Sequence, residues 1–422
     1  MIVYKFGGAS VRSAEGIQNI VKIVSNVKDD LFIVVSAMGK TTNAMEVVLD
    51  CFMKNDKEGA FIKLKEVEDY HIEIIKALFS NAEGGIKAIE PLFHAICNYI
   101  EVAIPTDYDR CYDHLVSYGE VISTTIVSAY LKESHIENNW LDMRKMLVTD
   151  SNFREANVRM DESQKRLTEA VDFTKSKIYI SQGFIGANMN GDPTTLGREG
   201  SDYTAAVVGN LLDAQSVSIW KDVPGILNAD PRLFPNTVLI PELSYLDAVE
   251  LAYSGAQIIH PKTIKPLENK GIPLYVRPFG SPEEAGSVIK ATTESPIGVP
   301  VLILRKNLVL VTIRPRDFSF VLEESLSRAF TIFHKHRLKI SLIQSSAVSI
   351  SVCVDDSRYL SAALDELANE FKVSYNTELE LLTIRGTNDA IIEETTAGRT
   401  IMLSQRTRRM ARFLLKMPLT LS

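Results

Sequence analysis

Val3-Tyr4-Lys5-Phe6-Gly7-Gly8-Ala9-Ser10-Val11 opens the chain with a short apolar strand that runs into a lysine and then two glycines. An ammonium group fixed beside backbone that an oxyanion can approach closely is the chemistry of a phosphate site. A Gly-Gly after a strand is also an ordinary turn. A second stretch, far downstream, decides between them.

That stretch is Thr194-Thr195-Leu196-Gly197-Arg198-Glu199-Gly200-Ser201-Asp202-Tyr203-Thr204-Ala205-Ala206. It follows the apolar strand Lys177 to Ile180 and the turn-rich run Gly186 to Asp192, and it opens an apolar helix, Tyr203 to Leu212. Unpaired N–H groups and the helix dipole favour an anion at such a helix start. Ser201 or Asp202 as a plain N-cap would explain one residue, but neither the arginine nor the two glycines.

Together the two motifs resemble those of the aspartokinases of the amino-acid kinase family. Further matching blocks are Val34 to Asn43 (VVSAMGKTTN), Ser117 to Ser123 (SYGEVIS), Trp220 to Arg232 (WKDVPGILNADPR) and Leu243 to Thr263 (LSYLDAVELAYSGAQIIHPKT). The likeness is to the single-function, lysine-sensitive type. It implies ATP and L-aspartate as substrates, Mg²⁺ carried in with ATP, and an amino-acid effector.

Composition fits a soluble globular enzyme: of 422 residues, 45% are hydrophobic and 23% charged. A chain of this length predicts two or three domains. No apolar run approaches the roughly 20 residues of a membrane span, and MIVYKF does not read as a signal peptide. Cys51, Cys97, Cys111 and Cys353 lack C-x-x-C spacing and read as reduced cytoplasmic thiols, with no metal site among them. A net charge of −7 argues against nucleic acid as a partner. A site for two anionic substrates must be locally positive on that background.

Before about residue 300 strands alternate with helices: Ile2 to Phe6, Leu31 to Ser36, Lys177 to Gln182, Ser216 to Lys221 and Leu274 to Val276 against Ala14 to Val27, Tyr203 to Leu212 and Tyr245 to Ala252. That rhythm predicts an α/β fold, a largely parallel sheet sandwiched by helices. Residues 43–145 read as mostly helical, including Phe61 to Phe79 and Tyr118 to Lys132. Gly280 to Pro300 reads as the close of the kinase domain, set at 1–296, and a linker. Beyond it, Leu308 to Ile313, Val321 to His336, Leu338 to Gln344, Ala347 to Val354, Tyr359 to Glu370 and Phe371 to Tyr375 give βαββαβ, a ferredoxin-like order. Attached to this kinase it resembles an ACT regulatory domain, 301–377. A second ACT-like unit, 378–422, is expected from strand Leu379 to Ile384, helix Asp389 to Thr396 and strands Thr400 to Leu403 and Met410 to Leu415. It is short of one helix and one strand. ACT units pair across subunits, which implies a homodimer.

The chemistry can be assigned residue by residue. Moving a phosphoryl group onto a carboxylate is positioning plus charge neutralisation. Lys5 is the expected cation on the transferring group, and Asp202, matching the family's catalytic aspartate, is expected to orient it, with helix capping as a second duty open to it. Arg198 offers a planar fork for the substrate's α-carboxylate, and Glu120 a negative partner for its ammonium group. The resemblance places Ser36, Thr42 and Ser201 along the substrate and phosphate pocket, and Gly7, Gly8, Lys221, Asp222, Arg232 and Lys262 around the nucleotide. Met38-Gly39-Lys40-Thr41 imitates the end of a P-loop, but Val34 stands where its first glycine belongs.

Four departures from the family pattern stand out. Lys221 replaces a common threonine, Leu227 a common tyrosine, and Glu199 a glycine. A carboxylate at Glu199, beside the phosphate loop, is expected either to point away or to pair with a nearby cation such as Lys221. Ser341 replaces an acidic residue of lysine-sensitive relatives, which removes an ion-pair partner for an effector's ammonium group.

Overall fold

The computed structural model describes residues 1–256, 259–292, 297–316, 323–386, 389–408 and 410–416. Residues 257–258 of the last motif block, 293–296 of the expected linker and 321–322 of the expected helix lie outside the described residues. The chain divides into two compact units: Met1–Ile226, Leu239–Val249 and Gln257–Pro296 form one, and Leu227–Val238, Glu250–Ala256 and Ile297–Ser422 the other.

The first unit is built on an eight-stranded sheet in the order Glu242–Ser244, Ser287–Lys290, Leu274–Pro278, Ser216–Lys221, Ile2–Phe6, Leu31–Val35, Ile178–Gln182, Asn139–Leu141. From Leu274–Pro278 onward each strand is parallel to its neighbour. Strands such as Leu31–Val35, buried at every residue, are apolar on both faces because helices cover both. The chain winds outward from Ile2–Phe6 through Leu31–Val35, then returns to place Ser216–Lys221 on the other side. The sheet therefore has its switch point between Ile2–Phe6 and Ser216–Lys221, where open α/β sheets bind ligands beyond the strand carboxyl ends. Lys5 and Lys221 lie at those ends.

Long helices Thr41–Met53, Lys57–Leu78, Ala82–Val102 and Tyr108–Glu133 form the predicted helical region. Their apolar stripes share one core with the sheet, including Phe6, Val35, Met45, Leu64, Ile96 and Ile122. A small sheet that the sequence reading missed joins Val148–Thr149, Ile185–Asn188 and Pro193–Thr195. Its strands are two to four residues long, too short to show a period.

The second unit carries a six-stranded antiparallel sheet, ordered Ile340–Ser346, Ser349–Asp355, Val301–Pro315, Phe371–Arg385, Met410–Lys416, Thr400–Arg406. Helices Glu323–Lys335 and Leu360–Glu370 bury their apolar faces on one half through Ala329, Phe333, Ala363 and Leu367. Helix Asp389–Thr396 covers the other half through Ile392.

The two central strands run for 15 residues each, where the sequence suggested a break between Tyr375 and Leu379. Asn307 and Glu378 adopt left-handed φ of 58° and 57°, and the register shifts beside them. The turn-like Asn376-Thr377-Glu378 is therefore a bulge within a continuous strand. Val301–Arg305 pairs with Leu381–Arg385. The expected missing strand of the last repeat is thus supplied by the first residues of the earlier long strand. Val301-Leu302-Ile303-Leu304 escaped the reading because it follows directly on a Pro/Gly-rich stretch.

Candidate active site

The Ile2–Phe6 strand delivers Lys5 into a cavity of about 400 Å³ that also gathers Gly7, Gly8, Ser36, Thr42, Glu120, Ser201, Asp202, Lys221 and Asp222. Three segments meet there at backbone distance. A Cβ on Gly8 would stand 2.8 Å from the Ala37 carbonyl oxygen, so only glycine fits. The Gly39 N–H donates to Gly8 O at 3.0 Å, and the Ser36 N–H donates to Phe6 O at 3.1 Å. Ser123 Oγ donates to Ser36 O at 2.7 Å and anchors that loop to helix Tyr108–Glu133. Trp220 stacks on Phe6 at 6.1 Å beneath it.

Asp202 occupies the first turn of helix Gly200–Leu211. Lys5 Nζ lies 2.5 Å from its Oδ1 and Lys221 Nζ 3.3 Å from its Oδ2. Burial would raise the Asp202 carboxyl, but the two ammonium charges outweigh it and hold the group below the ordinary carboxylate range. Neither Ser201 nor Asp202 is the N-cap, as the sequence allowed. The cap is Glu199, in left-handed backbone at φ 53°, and it makes no side-chain cap bond.

The Glu199 carboxylate accepts the His260 N–H at 2.8 Å. Of the two expected arrangements, the pair with Lys221 is not the one formed: Glu199 turns to the His260 N–H, and Lys221 lies 3.3 Å from Asp202. The left-handed turn aims the Glu199 side chain at the residues leading into helix Pro261–Glu268. Replacing Glu199 with Gly relieves about 1 kcal/mol of backbone strain and loses one hydrogen bond of about the same worth. Thermal melting is expected to shift by under about 1 kcal/mol, with ATP affinity unchanged. A clear loss of ATP affinity in titration calorimetry would restore the original expectation.

Glu120 sits on helix Tyr108–Glu133 and is 3% exposed. Its Oε1 accepts the Ala37 N–H at 3.4 Å, while its Oε2 has no hydrogen-bond partner among the described residues. Burial pushes its carboxyl up to about 8, against the opposing pull of the Ala37 N–H and of Lys5. A buried carboxylate oxygen without a partner is costly. Its position in the cavity suits a cationic group of a ligand.

Seven residues earlier, on the same face two turns away, Asp113 is fully buried. Its Oδ2 accepts the Arg154 and Thr195 N–H groups at 3.0 and 2.9 Å, and its Oδ1 accepts the Thr195 hydroxyl at 2.6 Å. Burial raises this carboxyl to about 6 despite those bonds. Asp113 thereby fixes the strand that feeds Gly197-Arg198. Sequence reasoning passed it over, because its partners Arg154 and Thr195 lie 41 and 82 residues away in the chain. An Asp113→Asn variant turns one acceptor into a donor facing N–H groups. It should lose about 1–3 kcal/mol of stability in denaturant unfolding.

Three expected site residues are not among the cavity's lining. Arg198 is exposed on its loop, without a hydrogen bond or ion pair among the described residues. Lys262 donates to Leu196 O at 3.1 Å and lies 4.7 Å over the Tyr203 ring, so it braces that loop. Burial lowers its pKa. Arg232 grips Asp230 with Nε and Nη2 at 3.0 and 2.7 Å and belongs to the second unit. Lys40, the P-loop imitator, is exposed and does not line this cavity.

In the second unit, Ser341 Oγ accepts Arg305 Nη1 at 2.6 Å, and Arg305 Nη2 lies 2.5 Å from Asp355 Oδ1. No group of three or more metal-ligating side chains occurs among the described residues. No helix among them is long and apolar enough to cross a membrane.

Comparison with known proteins gives consistent results. The amino acid kinase family matches residues 1–278. Lysine-sensitive aspartokinase 3 of Escherichia coli (strain K12) is 30% identical over 92% of this chain and 87% of its own length. Aspartokinase 1, chloroplastic, of Arabidopsis thaliana is 31% identical over 86% of this chain and 64% of its own length. The crystal structure of E. coli aspartokinase III in complex with aspartate and ADP (R-state) superposes with a TM-score of 0.83 at 28% identity. It covers 99% of this chain and 96% of that one. The same enzyme in complex with lysine and aspartate (T-state) gives 0.80 at 27% identity, again over 99% and 96%.

Proposed function

The chain belongs to the amino acid kinase family, among the aspartokinases, and from that premise we propose that it transfers the γ-phosphoryl of ATP to the side-chain carboxylate of L-aspartate. The products are 4-phospho-L-aspartate and ADP, the first step towards lysine, threonine and methionine. The observation that carries this reading is one cavity holding both a lysine clamped by Asp202 and the unpartnered Glu120 oxygen.

Each group then has a task. Lys5 neutralises the transferring phosphoryl, and Asp202 holds Lys5 in place. Gly7 and Gly8 let the phosphates approach the backbone. Glu120 takes the substrate ammonium, and Arg198, on a loop with Gly197 at φ 77° and Glu199 at φ 53°, turns in to take the α-carboxylate. Ser36, Thr42 and Ser201 offer hydroxyls to substrate and phosphate. Lys221 and Asp222 face the nucleotide, and the family resemblance adds Arg232 and Lys262 as further positive charge for it. Mg²⁺ arrives on the ATP phosphates and offsets their charge. Both Asp202 oxygens are engaged by lysines, which suits an ion held mainly by phosphate and water with Asp222 at hand.

We place the kinase in residues 1–296 and amino-acid sensing in two units, 301–377 and 378–422, with Val301–Arg305 contributing a strand to the second, in a cytoplasmic homodimer. At Ser341 the neighbouring charged groups are the Arg305 guanidinium and the Asp355 carboxylate paired with it. Titrating lysine, threonine and methionine into the activity assay identifies the effector.

A coupled ADP-release assay with aspartate, glutamate and UMP tests the reading. ADP release with aspartate alone is expected. Release with glutamate or UMP instead would move the chain to another activity of the fold, and no release with any of them would leave only a sensor.

A further inference from the structure

Lys5 and Lys221 leave neighbouring parallel strands on one face of the sheet. Lys5 pairs in register with Ile219. Lys221 stands two residues further on, so strand alternation points both side chains the same way. Asp202 takes one lysine on each carboxylate oxygen. Two ammonium groups that repel each other are thereby held side by side, and the trio carries a net charge of +1. The Lys221 side chain is 24% exposed against 9% for Lys5. It lines both the cavity and, with Ala9, Ser10 and Asp222, an adjoining groove of about 600 Å³. A threonine, which the family resemblance places here, would bring no charge and could not span to Asp202 with an ammonium group.

We propose that Lys221 is a second catalytic cation, acting with Lys5 on the phosphoryl group in flight. The inference rests on the aspartate-phosphorylating reading. In that reaction an aspartate side-chain oxygen supplies the electron pair for the new P–O bond. The bond from the γ-phosphorus to the β,γ-bridging oxygen breaks, its pair stays on ADP, and no proton needs to move. Charge grows on the leaving oxygen, and Lys221, at the opening of the cavity, faces it while Lys5 serves the acceptor side.

The test uses the full-length protein with Lys221→Met, Lys221→Thr, Lys221→Arg and Lys221→Ala, with melting curves to establish folding. Lys221→Met and Lys221→Thr should lower kcat about 100-fold, with the KM for aspartate within about twofold of the parent. Lys221→Arg should keep most of the activity, and propylamine should partly restore Lys221→Ala. Should Lys221→Met fail to fold, the propylamine rescue decides. A kcat within about threefold of the parent in Lys221→Met, or an Lys221→Ala enzyme that propylamine leaves unchanged, overturns the inference. Absence of aspartate-dependent turnover in the parent protein would instead overturn the functional reading itself.

Discussion

Replacing Lys5 with Met is expected to cut kcat by about 10³- to 10⁴-fold, the range for removing a cation from a phosphoryl-transfer site. The side chain keeps its length and apolar stem, so the loss isolates the charge. The aspartate KM should change far less, because the proposed holders of that substrate, Glu120 and Arg198, are left in place. Stability should fall by less than the roughly 3–5 kcal/mol that follows removal of one partner from a buried ion pair, because Asp202 retains Lys221 at 3.3 Å. Steady-state kinetics beside thermal melting separates the two effects. Near-normal turnover in Lys5→Met would remove Lys5 from the mechanism.

Replacing Glu120 with Gln should move affinity and stability in opposite directions. An ammonium group loses a charged partner worth about 1.5–3 kcal/mol, which raises the aspartate KM roughly 10- to 100-fold. The free protein, however, no longer buries an unpaired carboxylate. The Glu120 carboxyl titrates at about 8 when folded, against an ordinary value of 4.5. The folded state therefore holds the extra proton between those values, and this group lowers stability as pH rises through that window. Glu120→Gln abolishes that contribution, so its melting temperature should exceed the parent's above about pH 8 and converge with it in acid. The same titration predicts that kcat/KM for aspartate rises with pH towards about 8 in the parent and loses that limb in Glu120→Gln. A flat parent profile, or a less stable variant at high pH, would contradict this account of the site.

The alternation of apolar strands with amphipathic helices was legible because parallel strands and covering helices repeat at different periods. Lys5 stood out in the sequence as a cation set between an apolar strand and two glycines, whereas Asp202 and Glu120 were named through the family resemblance. Contacts between distant segments were not. Nothing local shows that Lys221 would share Asp202 with Lys5, or that Glu199 would reach the His260 N–H. Those pairings depend on which strands become neighbours. Left-handed backbone at Asn307 and Glu378 was equally hidden, because either residue also suits a turn. That is why two long strands read as fragments, and why the pairing of Val301–Arg305 with the last repeat went unseen. Asp113 was missed for a different reason: a lone acid on a helix is usually solvated, and only Thr195 and Arg154, closing over it, make it structural.

Trapping the product with hydroxylamine tests the central claim most directly. With aspartate and ATP the account predicts the side-chain hydroxamate of aspartate, formed in step with ADP, with both lost together in Lys5→Met. ADP release without a hydroxamate, or a hydroxamate on the α-carboxylate, would contradict it.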